Sequence, residues 1–396
     1  MPQCAWGKTQ TFAREISFRL LKIPVAHGAA VLSPNGRWLA VSSEASKVRG
    51  TVFYDFQSGH SWTDSRGEEP LAWSKDSRVC LSRSSREWRV ATPERCESHS
   101  ILRQPLVGVP GFLRESGIAA WTPRTRRLVI ADGEKNTQIR LWNGRQWTRG
   151  IDWGRVLKFP EWYQGEVAPF DLTWSRDERL LTIRFYGRAE RAEGSALHTV
   201  VFAVRGRKLK DVWGEDTGEV AWLDERRMMF KGDDGGMGGA TDLVVAEPRT
   251  KRRRVWKTNV LAWALSPRRD FVCALLGNGD LVRSSTRRPV WQVIQKRALS
   301  RKIVTSNEVS TWFQLDVSPR GDMVAISRVL GGRGVWLFST QPQKPWTIYW
   351  KSPTDSIGIV GWAQGRSLPL VQMGQGQSDV EDAPTRLGQL QKSSSL

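Results

Sequence analysis

One recurring pattern constrains this chain most strongly: a short apolar strand, a polar turn and a second apolar strand. Clear copies are PLAWSKDSRVCLS from Pro70, DLTWSRDERLLTI from Asp171 and QLDVSPRGDMVAI from Gln314. Eight copies occur at intervals of 41 to 53 residues, measured between the positions that begin each turn, which are Ser33, Ser74, Thr122, Ser175, Leu223, Ser266, Ser318 and Ala363. A period of this length indicates an array of repeated supersecondary units.

The residues of the turn explain why each copy folds back on itself. A Ser or Thr hydroxyl can bond the backbone two residues further on, Pro presets φ, and Asn-Gly or Arg-Gly supplies a permissive corner. A tryptophan recurs just before most of the turns, at positions 73, 121, 174, 222, 263 and 362. Because these six residues keep the same place in the repeat, we expect them in the core between neighbouring sheets, and not at a ligand site.

A second hairpin follows each of the first seven copies, which gives seven complete four-strand units over residues 29–350. The eighth unit has only the hairpin at 359–373, and residues 9–24 read as the missing one or two strands. The sequence therefore predicts an all-β fold, a single β-propeller of four-stranded antiparallel blades. Eight blades are favoured and seven are the alternative, with the ring closed by N- and C-terminal strands that share the last blade. The propeller would span 1–374, and 375–396 would form a disordered polar tail.

The turn of Ser-Pro-x-Gly type, followed by an apolar strand at blade spacing, resembles the WD-repeat and TolB-like β-propeller families. The resemblance covers nearly the whole chain. The Trp-Asp pair of the regular WD repeat is replaced, for example by Trp142-Asn143, which makes this a divergent propeller. The resemblance implies the fold, and it leaves the function to be argued from the residues.

Charge gives the one functional lead. The chain has 60 Lys and Arg against 40 Asp and Glu, a net charge of +20, and most of the excess lies between residues 248 and 307. This balance favours anionic partners such as nucleic acid, acidic proteins or another polyanion. The candidate anion- or partner-binding residues are Lys251, Arg252, Arg253, Arg254, Arg287, Arg288, Lys296, Arg297, Arg301 and Lys302. We expect two adjacent basic ridges on neighbouring blades; a merely solvated face is the alternative.

Chemistry-bearing motifs are absent from the sequence. Four Cys and four His have no metal-ligand spacing, and no nucleophile elbow or glycine-rich phosphate loop occurs. The sequence therefore predicts no catalytic residue, no metal and no cofactor, and it disfavours a small-molecule substrate. Cys80 and Cys273 lie in apolar strands, where we expect buried, inert thiols.

The primary hypothesis is a non-catalytic propeller scaffold that mediates protein–protein interaction within an intracellular assembly. The alternative is a subunit that binds RNA or DNA through the basic sector 249–302. No apolar run is long enough to span a membrane and no secretory signal is present, which favours a cytoplasmic or other intracellular location. The run Lys251–Arg254 also resembles a nuclear-import patch, so import into the nucleus stays open.

Overall fold

The structure is a computed structural model. It describes residues 16–20, 30–45, 48–84, 87–103, 118–122, 128–131, 138–142, 151–152, 167–188, 195–205, 208–232, 239–300, 303, 313–328, 334–341, 347–351, 355–363, 369–375 and 386–392. The chain divides into two compact units. One unit is Ile23–Asn259, and the other combines Met1–Lys22, which contains strand β1 (Ile16–Leu20), with Val260–Leu396.

The unit Ile23–Asn259 begins with three four-stranded antiparallel sheets in chain order. The first contains β2 (Ala30–Leu32), β3 (Trp38–Ala45), β4 (Val48–Asp55) and β5 (Ser61–Asp64). The second contains β6 (Glu69–Trp73), β7 (Cys80–Arg83), β8 (Glu87–Thr92) and β9 (Glu97–Arg103), with a short 3-10 helix at Pro93–Arg95. The third contains β10 (Ile118–Trp121), β11 (Leu128–Ala131), β12 (Gln138–Trp142) and β13 (Ile151–Asp152).

Ten further strands are hydrogen-bonded in chain order. They are β14 (Val167–Trp174), β15 (Leu180–Arg188), β16 (Ser195–Arg205), β17 (Lys208–Trp222), β18 (Met228–Gly232), β19 (Thr241–Glu247), β20 (Arg252–Leu265), β21 (Phe271–Leu276), β22 (Leu281–Ser285) and β23 (Trp291–Gln295). Strand β17 pairs with β16 through its first part and with β18 through its last part. In β20, pairing with β21 begins only at Val260.

Two more four-stranded sheets complete the unit that contains both termini. One contains β24 (Phe313–Val317), β25 (Met323–Arg328), β26 (Gly334–Ser339) and β27 (Thr347–Lys351). The other has the order β1-β30-β29-β28, with β28 (Asp355–Gly361), β29 (Leu370–Gln375) and β30 (Arg386–Lys392). The predicted contribution of an N-terminal strand is thus observed for β1. Part of the segment expected as a polar tail is strand β30, which gains backbone hydrogen bonds on both sides.

A serine closes five of the eight turns, although its hydrogen bonds reach further than two residues. The Ser318 hydroxyl accepts a hydrogen bond from the Met323 N–H at 3.1 Å and donates to Asp322 Oδ1 at 2.7 Å. The Ser318 N–H also donates to the Met323 carbonyl at 2.9 Å. Serines at 33, 74, 175 and 266 likewise accept from, and donate to, the backbone five residues on. Each buried hydroxyl is thereby satisfied, and each hairpin is fixed in register.

The apolar cores lie between consecutive sheets. One cluster joins Trp38 and Phe53 of the first sheet to Trp73 and Cys80 of the second. The Trp73 indole N–H donates to the Val31 carbonyl of the first sheet at 2.9 Å. The recurring tryptophans at 73, 174, 222, 263 and 362 are all buried, and Trp121 is half-buried. Their predicted core position is confirmed, as is the burial of Cys80 and Cys273, where desolvation raises the pKa of the Cys273 thiol to about 12.

Burial also affects one carboxyl group, that of Asp316 on β24, whose pKa rises to about 6. The ordinary value in an unfolded chain is near 4. The folded state therefore binds more protons than the unfolded state between these values, and stability falls as the pH rises through them. From about pH 4 to pH 7 this group should cost about 2–3 kcal/mol of folding free energy.

Replacing Asp316 with asparagine should remove that dependence. We expect the Asp316→Asn protein to be more stable than the wild type at pH 7, and the advantage to shrink toward pH 4. Urea denaturation at several pH values, followed by tryptophan fluorescence, measures the difference between the two proteins. Parallel stability curves would show that the carboxyl group is not responsible.

Candidate anion-binding surface

The first predicted basic group, Lys251–Arg254, lies at the junction between the turn after β19 and strand β20. Lys251 ends the turn after β19, and Arg252, Arg253 and Arg254 begin β20. All four residues are exposed, and not alternate ones only. Among the described strands, this part of β20 is beside β19, and pairing with β21 begins only at Val260. The exposure required of a binding surface is therefore present.

The second predicted group surrounds β23. Arg287 and Arg288 lie in the turn before this strand, Lys296 and Arg297 lie in the turn after it, and all four are exposed. The Arg297 N–H donates to Asp280 Oδ1 at 2.7 Å, which ties the second turn to the chain before β22. Arg301 and Lys302 lie outside the described residues. That the two groups form adjacent ridges stays a prediction.

A cavity of about 600 Å³ opens beside the first group. We call it the cationic groove, and its lining residues are Lys210, Val212, Trp213, Gly214, Arg249, Lys251 and Arg253. Four of the seven carry a positive charge, all four of these are exposed, and none of the seven is acidic. Several positive charges around one groove raise the local potential, which favours the approach of an anionic group.

A β-bulge shapes one wall of the groove. Trp213 pairs with Val201 and Asp211 pairs with Phe202, so that Val212 is the extra residue of β17. Such a bulge locally twists the strand and redirects its side chains. The Trp213 ring packs against Phe230 with ring centroids 5.4 Å apart, and the residue is only 9% exposed. The aromatic residue is therefore part of the core and presents little surface to the groove.

The turn between β19 and β20 forms the other wall. The Thr250 N–H donates to the Glu247 carbonyl at 3.1 Å, and the Thr250 hydroxyl donates to a Glu247 carboxylate oxygen at the same distance. Lys251 then adopts the left-handed conformation with φ 56°, which carries the chain from the turn into β20. The nearest acidic residue of this turn is thus already hydrogen-bonded within the turn.

The sequence analysis named Lys251 and Arg253 as candidate binding residues and included Arg249 in the basic sector 249–302, but it did not assign Lys210 or Trp213 to a site. Arg249 belongs to the basic segment 248–307, so the sequence already pointed to its neighbourhood. Lys210 is in β17, which is separated from β20 by β18 and β19 in the order of the sheet, yet it lines the same groove. Only a comparison of equivalent strands in consecutive units could have paired it with Lys251.

Carboxylates also meet cations between neighbouring strands. Glu69 on β6 pairs with Arg83 at 2.6 Å, and Asp171 on β14 pairs with Arg184 at 3.0 Å. Glu219 on β17 is exposed, yet the protein atoms around it desolvate its carboxyl group and raise its pKa, while the charges of Arg184 and Lys231 oppose that rise. Within the described part of the chain, no three His, Cys, Asp or Glu residues are placed to hold a metal ion.

Successive antiparallel sheets with apolar clusters between them define the class: the chain is an all-β propeller. No family model and no curated protein matches its sequence. The β-propeller domain of Cps50 (Swd1) from Myceliophteria thermophila is similar over 95% of this chain and 99% of its own, with a TM-score of 0.50 and 10% identity. An oligogalacturonate lyase in complex with manganese is similar over 97% of this chain and 96% of its own, with a TM-score of 0.51 and 9% identity. At such identities the likeness concerns the fold alone. Among the described residues, no helix is both long and apolar enough to cross a membrane.

Proposed function

We propose that this chain is a non-catalytic, intracellular propeller scaffold that holds other proteins through its outer surface. The fold part of the proposal is a ring of eight four-stranded blades. Five of the sheets already have four strands each, and the ten-stranded sheet supplies three more blades if β17 and β20 each serve two neighbours. The pairing of β1 with β30 would then close the ring.

The observation that carries the functional part is the cationic groove. It is built on the outer strands β17 and β20 and on the turn before β20, and its four cations are exposed. Repeat folds characteristically offer broad, rigid surfaces to partners, and exposed loops and edges carry the specificity. A positively charged groove on such a surface fits an anionic partner.

Affinity purification from native extract tests the proposal, with the extract divided into nuclease-treated and untreated halves. We expect one defined set of proteins to be recovered from both halves. The control is an unrelated protein of similar positive charge, which reports the proteins retained by charge alone. Recovery of the same set on that control would contradict a specific scaffold.

Direct binding of RNA or DNA is the second candidate, favoured by the exposure of every described residue in the two predicted basic groups. In the same experiment it requires nucleic acid in the untreated half and loss of the proteins after nuclease. Binding would also weaken steeply with salt, because phosphate contacts release counterions.

A further inference from the structure

Strand β23 is the last strand of the ten-stranded order, and its open edge is apolar. Among the described strands, β22 is its one neighbour. Three large hydrophobic side chains are exposed in the described part of the chain, and two of them lie at this edge, Val290 at 66% and Val293 at 43%. The outer strands β5 and β9 expose polar residues instead, such as Ser61 and His99. An exposed apolar strand edge can pair with a further strand.

The first part of β23 forms a regular ladder that is open on both faces. Trp291, Gln292 and Val293 pair residue for residue with β22, and the bulge at Ile294 comes only after them. Gln292 and Val293 are both exposed, and consecutive residues of a strand point to opposite faces. Trp291 and Val293 share one face, which is apolar, and Gln292 lies on the other, which is polar. A strand added here would need the same alternation of apolar and polar residues.

Exposed cations stand at both ends of this edge. They are Arg287 and Arg288 in the turn before β23, and Lys296 and Arg297 in the turn after it. Asp270, whose carbonyl accepts from the Thr286 N–H beside the first turn, uses its carboxylate to accept from the Ser266 hydroxyl. Near the second turn, the Asp280 carboxylate accepts from the Arg297 N–H and from the Asn278 side chain. The edge therefore has exposed positive charge at both ends, and the nearby carboxylates are already hydrogen-bonded.

This distribution of charge selects between possible partners. A second copy of β23 would bring cations against cations whichever way the two strands ran, so charge disfavours self-pairing. Nucleic acid would use the cations but would leave the apolar side chains of Val290 and Val293 exposed. A protein strand with carboxylates beyond both of its ends meets the charges and covers the apolar edge.

We propose that the edge of β23 binds an amphipathic strand of a partner protein that is flanked at both ends by acidic residues. The added strand extends the sheet by backbone hydrogen bonds, and its apolar residues pack beside Trp291 and Val293. Its carboxylates pair with the cations of the two turns. This inference goes beyond the proposed function, because it uses none of the residues that line the cationic groove.

Fluorescence anisotropy tests the inference with the full chain and the fluorescein-labelled peptide EEVQVQVEE. Val293→Lys should weaken binding about tenfold, because a lysine at an edge opposes the addition of an apolar strand. The substitution adds a positive charge, so simple attraction would instead tighten the binding of an acidic peptide. The matched control is His99→Lys on the outer strand β9, which should stay within about twofold of the wild type. Unchanged or tighter binding by Val293→Lys would overturn the proposal.

Charge reversal tests the flanking cations. Arg288→Glu/Lys296→Glu should weaken binding more than about tenfold. The matched control is Lys75→Glu/Arg78→Glu, which makes the same change in net charge at two exposed residues of the turn between β6 and β7 and should cost less than about threefold. Equal losses would overturn the proposal, because only net charge would matter. Circular dichroism and thermal denaturation establish that each variant is folded.

Strand addition has a signature that simple adhesion lacks. The peptide EEVQPPVEE has consecutive prolines, which remove N–H donors from both of its edges, and it should bind more than about tenfold more weakly. Hydrogen exchange measured by mass spectrometry should slow in the segment 287–297 when EEVQVQVEE binds. Equal binding of the two peptides, or unchanged exchange in that segment, would overturn the proposal.

Two further outcomes separate this inference from the alternatives. Tighter binding of an oligothymidylate than of the peptide, lost in Arg288→Glu/Lys296→Glu and retained in Val293→Lys, would reassign the edge to nucleic acid. If the wild type recovers a specific protein set from nuclease-treated extract but does not bind EEVQVQVEE, this inference is wrong and the scaffold function stands. If it binds the peptide through β23 but recovers no specific protein set, the scaffold function is wrong and the strand site stands.

Discussion

Replacing Arg89 with alanine should lower the free energy of unfolding by about 3–5 kcal/mol. Arg89 on β8 and Asp64 on β5 form an ion pair at 3.2 Å in which the two side chains are only 5% and 4% exposed. Arg89 also pairs with Glu87 and donates to the Ser98 hydroxyl at 2.7 Å. Truncation would leave the Asp64 carboxylate buried without its cation, which costs far more than the pair itself contributes.

Chemical denaturation followed by tryptophan fluorescence measures the loss. The control is Arg179→Ala, because Arg179 pairs with Asp177 at 3.8 Å on the surface, where its side chain is 71% exposed. That variant should lose less than about 0.5 kcal/mol. If the two substitutions cost the same, the burial of the Arg89 pair has no energetic consequence and the prediction is wrong.

Features that depend on local residue chemistry and on the repeat period could be predicted from the sequence. The turn that begins at Ser318 is recognisable because serine begins the turn in five copies of the repeat, and the structure confirms a hairpin there. The recurring tryptophans were assignable to the core because six of them share one place in the repeat. Both inferences need only neighbouring residues and their repetition.

Features that depend on packing between distant strands were beyond the sequence. The polar segment Arg386–Lys392 forms β30 because backbone hydrogen bonds to β1 and β29 stabilise a strand without an apolar pattern. The cationic groove brings Lys210 of β17 together with Lys251, which is 41 positions further along the chain, and a bulge at Val212 shapes its wall. Nothing in the local composition around Lys210 marks it as part of a site.

The close approach of Gly50 to the backbone of a neighbouring strand is also not apparent from the sequence. Replacing Gly50 with alanine should lower the free energy of unfolding by about 3 kcal/mol or more. Gly50 lies in β4 with φ 140°, a conformation that residues with a side chain rarely adopt. A Cβ there would lie 2.3 Å from the Asp64 carbonyl oxygen and 2.9 Å from the Ser65 Cα. Both contacts are with backbone, so relief requires a shift of the chain and not of a side chain.

Gly59→Ala is the matched control, because Gly59 also has a positive φ, 75°, but a Cβ there would meet nothing within 4 Å. We expect that variant to lose only the conformational cost, about 1 kcal/mol. Equal losses in the two variants would show that φ alone, and not the clash with Asp64, determines the effect. Because the clash and the Arg89 ion pair both act on Asp64, we expect the loss in Gly50→Ala/Arg89→Ala to be smaller than the sum of the single losses.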